Sequence, residues 1–145
     1  MELVNVILRW LHIASAVVLV GGFILIALAV EPELRGKPEG DALSEAIRRR
    51  YKRIAHTAIG LLLITGFYNY LELAVPKARA AGIAAEYNGV MGIKMLLALA
   101  VIGISIALLS PLRLSQESRD RWLMVNAVLG LAVLAAGAFL RRLWP

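Results

Sequence analysis

The sequence predicts an all-α polytopic membrane protein, an antiparallel bundle of four transmembrane helices. Three observations lead there. Hydrophobic residues fill 60% of 145 positions and the mean hydropathy is +0.74, an apolar share well above that of soluble domains. Four apolar runs, about 4–30, 54–75, 89–109 and 122–140, each reach the roughly 20 residues that cross a bilayer as a helix. None alternates in the ten-residue manner of a barrel strand, and lipid leaves backbone N–H and C=O groups no partner outside a helix. The connections are short, so residues 1–145 form a single transmembrane domain with no soluble catalytic module.

The first run, LRWLHIASAVVLVGGFILIALAV at 8–30, carries Arg9 and His12 near its leading end. It reads as a retained helix: the run is long, Glu2 precedes it, and Val30-Glu31-Pro32 is a poor cleavage site. EPELRGKPEG, 31–40, reads as a turn-rich loop. From Asp41, a candidate N-cap, Leu43, Ile47, Tyr51 and Ile54 recur at helical spacing. The second helix therefore starts before the membrane, and RRRYKR, 48–53, forms a basic collar that anchors topology. Pro76 closes that helix or opens a short interfacial one through 77–89. Ser110-Pro111 ends the third span, and Ser118 or Asp120 caps the fourth. Gly21, Gly22, Gly60, Gly66, Gly89, Gly92, Gly103, Gly130 and Gly137 allow close helix approach.

If the helices alternate, Arg35, Lys37, Arg119, Arg121, Arg113 and the RRRYKR cations share one face, while Arg9, Lys77, Arg79, Arg141 and Arg142 share the other. The richer face is expected to be cytoplasmic, with both termini outside, as in a bacterial inner membrane. The net charge of +6 then reads as topology and attraction to anionic lipid rather than to nucleic acid. With no cysteine, disulfides, thiolate metal sites and thiol redox chemistry are excluded.

An ionisable side chain within a span costs about 2.5–3.5 kcal/mol and so calls for a reason. His12, His56 and Lys94 are the candidates, with Arg9 and Arg53 near the boundaries. Counting ~1.5 Å per residue, His12 and Lys94 lie ~12 and ~8 Å below the outer edge and His56 ~28 Å. That disfavours one bis-histidine site within a chain, though a second copy could bring His12 to a symmetry mate. Helical spacing instead gathers Asn5, Arg9 and His12 with Tyr68, Asn69 and Tyr70 and with Met91, Lys94 and Met95 in the outer half. Such a cluster can hold haem, with His12 as axial ligand and Arg9 or Lys94 offsetting propionate charge. It can also hold Cu(I), with His12, Met91 and Met95 as soft-compatible ligands. Packing, snorkelling and a simple imidazole–carbonyl bond are the structural alternatives. His56 reads as an interfacial residue. No carboxylate pair suited to acid–base or hydrolytic work lies in the spans.

At WLHIASAVVLVGG, RRRYKRIAHTAIGLLLITGFYNYL and GIKMLLALAVI the chain resembles the HemJ-type protoporphyrinogen oxidases and the CopD copper-resistance membrane domain. Leu11-His12, Arg50-Tyr51 and Lys94 stand where the HemJ family has a Leu-His pair, an Arg-Tyr segment and a third-helix Lys. That resemblance implies haem b held by the first-helix histidine, with Arg9, Tyr68 and Lys94 shaping the pocket, and electron transfer or tetrapyrrole oxidation with a redox partner. The CopD resemblance implies copper binding or transport. The chain departs from the HemJ pattern at Ile104-Ser105, where that family has a Tyr-His pair. A cofactor-free scaffold or subunit is the remaining expectation, with membrane lipid and a second copy as partners.

Overall fold

The computed structural model describes residues 2–110 and 115–142, the side chains of 116 and 141 excepted; Pro111 and Arg113 lie outside the described residues. Four long helices run through it: α1 (Glu2–Leu34), α2 (Gly40–Ala80), α3 (Ala84–Leu109) and α4 (Gln116–Arg142). All are long and apolar enough to cross a membrane. Their exteriors are oily, with Trp10, Ile64, Leu96 and Val128 between 58% and 70% exposed, as suits a chain whose solvent is hydrocarbon.

The expected break at Glu31-Pro32 does not occur, and Pro76 does not close α2. Each proline is preceded by a π-helical segment, Ile26–Val30 in α1 and Asn69–Ala74 in α2. A proline has no N–H for the carbonyl four residues back and its ring collides with that group. Widening the turn relieves both problems: the N–H of Glu31 bonds to the Ile26 carbonyl, and that of Val75 to Tyr70. The helices stop instead near glycines with left-handed backbones, Gly36 (φ 76°) and Gly82 (φ 71°). At the end of α2 the Gly82 N–H bonds to Arg79 (3.2 Å) and the Ile83 N–H to Ala78 (3.1 Å), a Schellman closure that favours glycine. Gly82→Ala is expected to lower unfolding free energy in detergent by about 1 kcal/mol, read as a drop in the thermal midpoint; an unchanged midpoint would contradict it.

The caps differ from expectation. Glu39 precedes α2 and Asp41 lies within its first turn, where its charge favours the helix dipole. Ser115 caps α4 by accepting the Ser118 N–H at 3.3 Å, while Asp120 pairs with Arg35. Ser118 and Asp120 are therefore inside the helix, because it begins earlier than hydropathy indicates.

Helix α1 packs on α2 and on α4, α3 packs on α4, and α2 meets α3 sparsely. One core, including Leu19, Phe23, Ile26, Ile59 and Leu123, fills the end bearing the α1–α2 loop. A smaller one of Ala78, Tyr87 and Leu140 fills the end bearing the termini. Small residues set close approaches between helices: a Cβ on Gly130 would stand 2.8 Å from Val20, and one on Gly22 would stand 2.4 Å from the Tyr51 ring. Gly21, Gly60, Gly89, Gly92 and Gly103 face open space, so they permit no contact within this chain. Between α3 and α4 the buried Asn126 donates to Ser105 at 3.0 Å, an interhelical bond of the kind worth about 0.6–2 kcal/mol.

The RRRYKR collar is not uniformly solvated. Arg48 is 8% exposed, with its guanidinium 3.7 Å from the buried Glu31 and 3.0 Å from Glu45. Ser44 donates to the same Glu31 carboxylate at 2.8 Å. This ionic knot holds the far end of α1 to the start of α2.

Candidate functional site

The site begins with a matter of level. Thr65, ~15 Å from Val75 by helical rise, meets His12, ~12 Å from Val4. His12 Nδ1 lies 3.1 Å from Thr65 Oγ1, and Thr65 Oγ1 donates to the Leu61 carbonyl at 2.5 Å. A hydroxyl has one proton, and the shorter contact takes it. Thr65 therefore accepts from His12 Nδ1–H, and in the neutral ring Nε2 carries the lone pair. Gly66 makes the fit possible, since a Cβ there would stand 2.9 Å from His12 Cε1.

Lys94 approaches from α3. It is half-buried, its Nζ lies 3.6 Å from where a Cβ on Gly137 would stand, and it is close enough to His12 for its charge to act on the ring. Among the described residues Lys94 forms no ion pair. An imidazole and an amine thus share the interior of the bundle without a carboxylate between them.

The remaining candidates surround this pair. Tyr68 donates to Asn5 at 3.0 Å and Tyr70 to Asn88 at 3.3 Å, so the first phenol ties α2 to α1 and the second ties α2 to α3. Among the described residues the side-chain amide oxygen of Asn69 is enclosed without a hydrogen-bond partner. Arg9 is exposed, near enough to Tyr87 for its charge to be felt there. Met91 packs against the Ala78, Tyr87 and Leu140 core, while Met95 is 38% exposed. His56 is exposed and bonds through Nδ1 to the carbonyl of Lys52 at 2.7 Å, satisfied by its own helix.

The structure thus brings His12, Lys94 and Tyr68 to one region and leaves His56 apart. Thr65, Gly66, Gly137 and Tyr87 were missed as members of that region. Level counting alone pairs Thr65 with His12; the rotation of α2 that turns the hydroxyl inward is a tertiary fact.

Compared with protein-family models, curated proteins and solved structures, the chain finds no match. Fold and site define a four-helix candidate membrane protein with a half-buried histidine and lysine among its helices.

Proposed function

We propose that this chain is an integral membrane protein that holds haem b near its terminal end, with His12 as axial ligand, and serves electron transfer or tetrapyrrole oxidation. The observation that carries the reading is the Thr65-anchored imidazole beside an unpaired Lys94. Histidines that bind metal donate their other ring N–H to an oxygen, which sets the tautomer and orients the ring. His12 has that arrangement, with Nε2 as the basic nitrogen. Lys94 supplies a cation in a medium of low dielectric, where a propionate-like carboxylate would offset it. Tyr68 is held by Asn5 and steadies the wall, and Arg9 adds positive charge toward the surface. When bound, haem supplies one-electron chemistry; the chain orients its iron ligand and balances its charge. The basic end faces the cytoplasm in this reading and both termini lie outside, as in a bacterial inner membrane.

Absorption spectra of the detergent-purified protein, oxidised and then reduced, test this. A Soret band that His12→Ala abolishes is expected. Thr65→Val keeps the side-chain volume and removes the acceptor for Nδ1–H, so haem affinity should fall about 10–100-fold, measured by haem titration of the stripped protein. Colourless, iron-free wild type would reject the reading. Copper in elemental analysis, lost on replacing Met91 and Met95, would transfer His12 to the copper reading.

A further inference from the structure

The cations at the basic end fall into two groups. Arg35 pairs with Asp120, Lys37 with Glu33, Arg48 with Glu31 and Glu45, and Arg121 with Glu117. Among the described residues Arg49, Arg50, Lys52 and Arg53 form no ion pair; Lys52 is half-buried and the three arginines are exposed. Their positions are not scattered. Together with Ala42 and Ala46 the three arginines line one open surface depression of about 290 Å³, because residues 42, 46, 49, 50 and 53 follow one helical stripe.

Arg53 also lines a second groove, of about 440 Å³, between α1 and α2. That volume falls within the range of about 300–1,000 Å³ common for ligand sites. Beyond Arg53 its walls are mostly apolar, with Leu11, Ala14, Val18, Ile54 and Leu61 among them. The Thr57 hydroxyl in the wall is spent on the Arg53 carbonyl at 3.1 Å. Leu11 to Val18 and Ile54 to Leu61 each extend ~10 Å along a helix. An oily trench therefore leads toward mid-membrane from a basin of uncompensated positive charge.

We infer that the α1–α2 groove binds one anionic phospholipid, its headgroup phosphate on Arg49, Arg50 and Arg53 and an acyl chain in the trench. Charge complementarity selects the headgroup, since arginine matches phosphate oxygens with paired N–H donors. The trench excludes a soluble phosphate as the main occupant, because apolar walls reward only a ligand with a hydrocarbon tail. Each juxtamembrane cation contributes on the order of fivefold in affinity for an anionic lipid. The site does not depend on His12 or on any cofactor.

Native mass spectrometry of the full-length protein in mild detergent, with phosphatidylglycerol or phosphatidylcholine added back, tests the inference. One phosphatidylglycerol per chain should be retained, at least tenfold in preference to phosphatidylcholine. Arg50→Gln with Arg53→Gln should weaken retention on the order of 25-fold, and Arg50→Lys with Arg53→Lys, which keeps the charge but not the paired donors, should restore only part of it. Ala14→Phe fills the trench without changing charge and should also weaken retention, whereas Arg121→Gln, at the same end but outside the groove, should not. Circular dichroism before lipid addition confirms that each variant is folded. Equal retention of the two lipids, an equal loss in Arg121→Gln, or binding of soluble glycerol phosphate as tight as that of phosphatidylglycerol would overturn the inference.

Discussion

Arg48→Ala is expected to lower the unfolding free energy in detergent by about 3 kcal/mol, the lower part of the range for breaking a buried ion pair. The Arg48 side chain is 10% exposed and that of Glu31 3%. Removing the cation leaves that carboxylate enclosed, with its desolvation less well offset and the Ser44 hydroxyl still donating to it. The lower part of the range applies because the Arg48–Glu31 contact is 3.7 Å, an ion pair without a close hydrogen bond. Glu45 is the internal control. It also binds Arg48, but at 56% exposure, so Glu45→Ala should cost no more than about 0.5 kcal/mol. Replacing both members of the buried pair by apolar residues, Glu31→Leu with Arg48→Met, should cost less than Arg48→Ala alone. Denaturant titration of the three variants decides the matter. If Arg48→Ala and Glu45→Ala prove equally mild, the knot does not hold α1 to α2.

Arg48 also shows where sequence reading reaches its limit. The four spans are legible because a backbone in hydrocarbon has so few options that length and apolarity nearly determine the answer. Within RRRYKR, however, five cations have the same chemistry, and only the rotation of α2 selects Arg48 for burial. That rotation meets Glu31 only because α1 continues past Val30, which the π-helical segment before Pro32 permits. The sequence marks the proline but not whether the chain breaks or widens there. Glycines follow the same logic. Nine were candidates for close approach; those at 22, 66 and 130 press on Tyr51, His12 and Val20, and the one at 137 lies opposite Lys94. The face each presents depends on neighbours that α3, apolar nearly all round, does little to specify.

The candidate site was half legible for a related reason. His12 and Lys94 stand out because ionisable groups at depth are rare and expensive. Thr65 bonds back to its own helix, at the Leu61 carbonyl. That bond has a further consequence: it commits the hydroxyl proton and makes the oxygen an acceptor, which assigns the tautomer of a histidine one helix away. A pattern of residue types shows that Thr65 can back-bond; only the geometry shows His12 receiving the result.

Gly22→Ala is the second large effect. A Cβ at this position would stand 2.4 Å from Cε2, Cζ and Oη of Tyr51, so the ring has to move. It is poorly placed to do so. Its hydroxyl donates to the Leu19 carbonyl at 2.7 Å and reaches that of Val18 at 3.1 Å, and its edge meets Phe23 with centroids 5.4 Å apart at 84°. Displacing the ring adds the loss of about 1 kcal/mol of hydrogen bonding to an overpacking cost of about 1–3 kcal/mol. A total near 3 kcal/mol is expected from thermal or denaturant unfolding. The sign should reverse where the ring is gone: in a Tyr51→Leu background, Gly22→Ala removes no contact and gains helix propensity of up to about 1 kcal/mol. Gly21→Ala is the matched control, one residue away with nothing within 4 Å of its Cβ, and should be neutral or stabilising. Equal effects at 21 and 22, or no dependence on Tyr51, would mean that the close approach of α1 and α2 does not rest on this glycine.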